Sequence, residues 1–398
     1  MSIFAVIALT VTTLLVLYLG WRFISPLPLG LRRKAFLWVF LAVMLFGHRL
    51  TWFLHRSGSK VECMACDSID WVGFTFLGLV SILVFLMLIR DIPRLVSSIM
   101  SGLTKLFVRR SKRPYFIEPN LARRRFMLNA TNSAMLAAAL PMTGYGMFNA
   151  RRKPSVVRND LPVIGLPQGL DGFTIAQITD THIGPTIRAD WARMVVDEVN
   201  RVGADMVVHT GDLVDGSVDG LKEDIAPMAD LDAPHGVWFC TGNHEYYSGV
   251  HEWLAEARRL GMRPLINEHT VVDTGRGRIL LAGVTDINSQ RIEPSHVSSP
   301  RAAMRGASGF DVSILLAHQP DSVFEAARTG FDVQLSGHTH GGQYFPYNFI
   351  IHFFQTYVRG LYLHEKTVLY VSPGTGYWGP PVRLGTSPEI TLHTLRRA

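Results

Sequence analysis

Ser336-Gly337-His338-Thr339-His340-Gly341-Gly342 closes an apolar run at residues 331–335 and decides how the rest of the chain is read. Alternate histidines on a half-buried strand are commonly packed or solvated, so the pair alone says little. Here flanking glycines let the backbone turn sharply and approach something small. Three earlier stretches supply matching side chains: Asp180-Thr181-His182, Gly211-Asp212-Leu213-Val214-Asp215 and Gly242-Asn243-His244-Glu245. A further histidine, His318, stands in Leu315-Leu316-Ala317-His318-Gln319-Pro320. Each set follows an apolar, β-branched run, which places each at the carboxyl end of a strand. Open α/β sheets gather their ligands there.

Together these side chains read as a two-metal hydrolytic centre. Carboxylates, imidazoles and an amide oxygen suit Mn, Fe or Zn better than Ca or Mg, and no thiolate among them enforces a closed structural zinc site. The order Asp-x-His, Gly-Asp-x-x-Asp, Gly-Asn-His-Glu, His, Gly-His-x-His resembles the calcineurin-like metallophosphoesterases across residues 173–398. The ending, Ser372-Pro373-Gly374-Thr375-Gly376 with Arg383, Pro388 and Glu389, resembles their membrane-associated YkuE-type branch.

The resemblance implies two divalent metal ions and hydrolysis of a phosphoester by metal-activated hydroxide. It gives Asp180, His182 and His340 to the first metal, and Asn243, His318 and His338 to the second. Asp212 bridges the two, since a carboxylate between cations relieves their repulsion. His244 is not a ligand in this scheme: it stabilises the transition state over the phosphate or protonates the leaving group. Asp215 is expected to orient its loop or cap the next helix rather than bind metal. Glu245 has two readings, support to a ligand histidine or simple solvation. His209, inside a strand, reads as packed core, and Arg383 as a residue at the mouth that meets a substrate anion.

The 398 residues allow two or three domains. Residues 1–150 hold 17 Lys/Arg against 5 Asp/Glu, and residues 151–398 hold 22 against 27. A basic first half and an acidic second half suit a membrane-bound chain with a metal site, and no nucleic-acid partner is expected. Three cysteines are too few for a disulfide framework. Cys63 and Cys66 read as a local disulfide or idle thiols, and Cys240 as core.

Residues 3–21, 35–54 and 71–89 are expected to be membrane spans. The first and third loops carry 14 positive residues and the second carries 3, so the first and third face the cytoplasm. Residues 1–125 thus form a membrane domain with three transmembrane helices. Arg123-Arg124-Arg125 precedes residues 126–150, which read as a twin-arginine-like apolar segment or as a fourth transmembrane helix. Either carries the next domain out of the cytoplasm, although Arg151, Arg152 and Lys153 argue the other way. Residues 151–172 are a linker and first strand.

The expected architecture is α/β: a two-sheet αββα sandwich over residues 173–398, preceded by an all-α transmembrane region. The expected function is a membrane-anchored, multi-pass phosphoesterase acting on a phosphodiester or a lipid- or envelope-linked substrate. Its partners are the lipid bilayer, the phosphoester and, under the export reading, the twin-arginine machinery. The alternative is a non-catalytic membrane sensor or scaffold that keeps the metal-binding fold.

Overall fold

The computed structural model of the protein describes residues 3–56, 64–107 and 121–398. Cys63, the Cys66 side chain and the loop charges Lys60, Arg109, Arg110, Lys112 and Arg113 lie outside the described residues. The chain divides into two compact units, Met1–Tyr145 and Gly146–Ala398.

The second unit contains twelve strands among the described residues: β1 (Ser155–Val163), β2 (Thr174–Ile178), β3 (Met206–His209), β4 (Val237–Phe239), β5 (Arg263–Pro264), β6 (Glu268–Asp273), β7 (Arg278–Gly283), β8 (Val312–Leu316), β9 (Val333–Ser336), β10 (Gly360–His364), β11 (Thr367–Val371) and β12 (Glu389–Arg397). They form two six-stranded mixed sheets, ordered β1-β12-β2-β3-β4-β5 and β10-β11-β9-β8-β7-β6. From the sequence, residues 362–365, 368–372 and 390–395 are expected to be antiparallel strands. β10 is antiparallel to β11 and β12 to β2, but β11 runs parallel to β9 and β12 runs parallel to β1. The long connection between β9 and β11 makes the parallel pairing possible, because a parallel neighbour needs a crossover rather than a hairpin.

Strand periodicity divides the side chains between layers. Ile175, Met206 and Val208 point to the core between the sheets, where they meet Ile279, Leu281, Ile314, Val333 and Leu335. Their neighbours Ala176, Ile178 and Val207 point the other way, onto Trp191, Val195, Val199 and Trp253. On the far face of the second sheet, Leu280, Ala282, Leu315 and Ala317 pack against Ala303, Ala326 and Phe331. Both sheets are therefore covered by helices on their outer faces, as the α/β sandwich expectation required. A polar link also joins the sheets: Gln177 Nε2 donates to Thr210 Oγ1 at 2.8 Å and to the Ser336 carbonyl at 3.0 Å.

The first unit is helical, with α1 (Ile3–Leu19), α2 (Leu31–Arg56), α3 (Met64–Phe107) and the start of α4 (Leu121–Arg151). Within α3, residues Asp67–Thr104 are long and apolar enough to cross a membrane, and Leu9–Ile24 is apolar but shorter. Arg22 and Arg90, read as loop charges, instead meet on one carboxylate. Asp91 lies 2.5 Å from Arg22 Nη2 and 2.7 Å from Arg90 Nε, and accepts from the Tyr18 hydroxyl at 2.8 Å. Arg90 Nη1 continues to Asn132 Oδ1 at 2.6 Å, and Asn132 Nδ2 donates to the Arg22 carbonyl at 2.8 Å. Asn132 is one of the polar residues that depress the hydropathy of α4. Its amide is used to tie that helix to α3 and to the turn after α1.

Candidate metal centre

All five motifs emerge at carboxyl ends of parallel strands: Asp180 after β2, Asp212 after β3, Asn243 after β4, His318 after β8 and His338 after β9. The backbone must break sharply there to aim each side chain inward. Asp180, His182, Asp212, His338 and His340 all have positive φ, between 47° and 71°. That is five of the eight non-glycine residues with positive φ among the described residues. Such conformations cost free energy and cluster where surrounding structure over-determines them for a task. Two glycines permit the close approach. A Cβ on Gly337 would lie 2.3 Å from Asp180 Oδ2, and one on Gly242 would lie 2.2 Å from Asp212 Oδ1.

The donor atoms converge around Asp212. Its Oδ2 lies 3.1 Å from His318 Nε2, 3.7 Å from His182 Nε2 and 3.9 Å from His244 Nε2. On one side, His182 Nε2 and His340 Nε2 are 3.1 Å apart, and Asp180 Oδ1 is 3.4 Å from His340 Nε2. On the other, His338 Nδ1 is 3.2 Å from His318 Nε2. Asp212 thus stands between an Asp180–His182–His340 group and a His318–His338 pair.

Hydrogen bonds behind the imidazoles set which nitrogen faces inward. His318 Nδ1 donates to the Thr210 carbonyl at 2.8 Å, which turns Nε2 toward the cluster. His182 Nδ1 is held 3.2 Å from Asp215 Oδ1, with the same result. Asn243 Oδ1 is buried and has no hydrogen-bond partner among the described residues. A buried amide oxygen is almost always satisfied, so this orphan acceptor fits a cation. The donor chemistry, imidazole, carboxylate and amide oxygen, fits two divalent ions of the Mn, Fe or Zn type.

The field at the centre points the same way. Burial works against a His318 cation, but Asp212 and Asp180 outweigh it and hold its pKa up at about 10. Burial also opposes the His244 cation, and there Asp212 and Asp215 hold the pKa up at about 9. His338 goes the other way: burial and the neighbouring His318 push it down to about 3. A cluster that raises two of its imidazoles against desolvation attracts positive charge strongly.

Three readings change. Asp215 neither caps a helix nor merely shapes a loop: Ser217 is the cap of the next helix, and the Asp215 carboxylate bridges the Nδ1 atoms of His182 and His244. The second carboxylate of Gly-Asp-x-x-Asp was the available signal, and three residues of spacing did not reveal which imidazoles it would meet. Glu245 is wholly buried and accepts from the backbone N–H groups of Asp212, Leu213 and Gly242 at 3.1, 2.7 and 2.6 Å. It clamps the Asp212 loop to the Asn243 turn, its hydrogen bonds going to backbone N–H groups. Arg383 is fully buried and donates to the carbonyls of Pro373, Gly374 and Gly376, at 2.6–3.2 Å, so its guanidinium braces a turn instead of facing a mouth. His209 is packed as expected, buried beside Thr181 Oγ1 at 3.1 Å and pushed down to about 3 by burial. Sequence reading missed the aromatic flank of His244, where Tyr247 and Trp378 place their rings 5.2 and 5.6 Å from the imidazole.

Glu245→Gln tests the clamp. Glutamine keeps the volume but offers one acceptor oxygen and turns an NH2 toward backbone N–H groups. Leaving a buried donor unpaired costs about 1–3 kcal/mol. The full chain in detergent should therefore unfold at a lower temperature than the wild type. An unchanged Tm would mean that the three N–H groups find other partners.

Comparison with known proteins agrees with this geometry. The family model for calcineurin-like phosphoesterases matches residues 173–342. A metallophosphoesterase of Helicobacter pylori is 34% identical over 271 residues, which cover 68% of this chain and 71% of that protein. The transmembrane protein with metallophosphoesterase domain of Bos taurus is 38% identical over 286 residues, covering 69% of this chain and 64% of that one. The metallophosphoesterase YkuE of Bacillus subtilis is 29% identical over 290 residues, covering 69% of this chain and 98% of YkuE. The fold and the convergent donors define a metal-binding α/β sandwich, and the chain belongs to the calcineurin-like phosphoesterase family. Among three of the curated relatives it matches, it spans only 60–65% of their length.

Proposed function

We propose that the protein is a membrane-anchored, binuclear-metal phosphoesterase whose substrate is a phosphodiester or a lipid- or envelope-linked phosphoester. One observation carries this: His182, His244, His318 and His338, from four motifs, gather round Asp212, while the buried Asn243 Oδ1 is left with no partner among the described residues. Asp180, His182 and His340 would hold one cation, Asn243, His318 and His338 the other, and Asp212 both. Such a pair, when bound, neutralises phosphoryl oxygens and lowers the pKa of water. The chain's own part is to fix these donors and to present His244. Asp215 holds His244 Nδ1, so Nε2 is the atom free to meet a leaving-group oxygen and either stabilise its charge or give it a proton. Supplying Mn, Zn, Fe or Mg separately to the purified full chain with soluble monoester, diester and pyrophosphate substrates tests the reading. Metal-dependent turnover of one class is expected, and no turnover with any metal would leave a sensor or scaffold.

The membrane reading draws on relatives that are named transmembrane proteins and on the apolar Asp67–Thr104 stretch. A multi-pass anchor with an extracytoplasmic catalytic domain follows from the loop charges. The hydrogen bonds of Asn132 favour residues 126–150 as a resident fourth helix over an export signal handled by the twin-arginine machinery. In a bacterial host, protease added to intact spheroplasts should digest residues 151–398. Protection until the membrane is permeabilised would place the domain in the cytoplasm.

A further inference from the structure

Directly after the metal-binding turn, the chain makes an excursion that the catalytic scheme does not use. Residues 344–358 contain no Asp, Glu, Lys or Arg. The excursion leaves from Gln343, whose N–H donates to the His340 carbonyl at 2.9 Å, and returns at Val358, whose carbonyl accepts from Thr339 Oγ1 at 2.5 Å. Both ends are thus fastened to the turn that carries His338 and His340. Inside it, the short helix Tyr347–Ile350 sits tightly on that turn, since a Cβ on Gly342 would lie 2.3 Å from Asn348 Cα. Ile351 and Val358 are buried and root the excursion in the domain. Four aromatic residues between them face outward: Tyr347 is 46% exposed, Phe349 64%, Phe353 86% and Phe354 74%. Gln343 also pins Trp378, donating to its carbonyl at 2.9 Å and accepting from its N–H at 2.9 Å. The Trp378 ring, 49% exposed, stands beside His244.

Scattered exposed apolar residues are ordinary, but this many aromatics in eight residues, without one charge among them, mark a surface that meets an apolar phase. The same chain carries a stretch long and apolar enough to cross a bilayer, and the proposed anchoring through it would hold the domain where such a phase is at hand. Tyr and Phe with rooted aliphatic neighbours are the residues that settle at the boundary between lipid headgroups and acyl chains. We infer that residues 347–354 insert into the headgroup–acyl boundary of a phospholipid bilayer and bring the metal-binding turn to phosphoesters presented there. The geometry is independent of the catalytic reading, while the substrate, a lipid-borne phosphoester, rests on it.

The test uses the full chain in phospholipid nanodiscs, with Cys63→Ser and Cys66→Ser and the buried Cys240 left in place. An environment-sensitive thiol fluorophore is attached at Phe353→Cys or, for reference, at the exposed Glu223→Cys, and brominated acyl-chain lipid is introduced. Quenching at position 353 should exceed that at 223 at least about threefold, as expected for a residue below the headgroups. Equal, weak quenching at both positions would put the segment in water and overturn the inference. Shielding at 353 that is insensitive to bromine and vanishes with one chain per disc would assign the patch to a second copy, and would overturn it too. A second arm replaces Phe349, Phe353 and Phe354 by Ser. Turnover of a soluble aryl phosphodiester should hold within about twofold, while turnover of a phospholipid-borne phosphodiester should fall at least about tenfold, because only the second substrate needs the interface. If the wild type hydrolyses neither, the phosphoesterase reading fails, and the quenching still decides the membrane contact.

Discussion

Asp212→Asn is expected to abolish most turnover, by about 10³-fold or more, and to lower the content of both metals together. The reason is its place. Its carboxylate lies within 4 Å of imidazoles from both sides of the cluster, His182 on one and His318 on the other. Burial works against its charge, yet His318 and His244 hold its pKa well below the usual carboxylate range, so it is the anion on which the site turns. Asparagine removes that charge but keeps the shape. The Oδ1 that accepts from the His244 N–H at 2.8 Å survives the substitution, so the Asn243 turn should persist and the fold with it. Metal analysis beside a rate assay on the same preparation is the measurement. A variant that kept two metals and a near-normal rate would show that Asp212 does not bridge.

His244→Ala should divide rate from metal. The imidazole is held at the lip by Asp215, beside Tyr247 and Trp378, and its side chain is 13% exposed, so truncation opens no core cavity. Loss of one group that stabilises developing charge typically costs about 10²–10³ in rate. Two metals per chain should remain. The competing outcome is concrete, because His244 Nε2 also falls in a potential ligand group with His182 and Asp212. Metal lost in parallel with rate would make His244 a ligand and leave the leaving group without its acid.

Much of this centre was legible because its chemistry is written in strand-end motifs. A β-branched run that stops at Gly-Asp, Gly-Asn-His or Gly-His-x-His announces both a strand and the sharp turn after it, and β2, β3, β4, β8 and β9 all end at those points. The strands left unread were β5 and β6. β5 is two residues long, and β6, Glu268–Asp273, has no fully buried side chain, so neither shows the apolar alternation that betrays a buried strand. β1, inside the stretch expected to hold a linker and first strand, carries Arg158, Asn159 and Asp160 on an edge, and β12 pairs with it in parallel. Side-chain direction was the other gap. Nothing in the order of residues tells Arg383 to turn inward onto the Pro373 and Gly376 carbonyls, or Glu245 to close on three N–H groups. Those choices follow from which backbone groups the surrounding loops leave unpaired.

The binuclear claim is tested most directly by titrating the metal-free full chain with Mn(II) while following its EPR spectrum and its turnover of a soluble phosphodiester. A carboxylate shared by two cations about 3.5–4 Å apart predicts an exchange-coupled pair at two equivalents, with activity rising as the coupled signal appears. Saturation at one equivalent, or two uncoupled ions, would contradict a centre organised around Asp212.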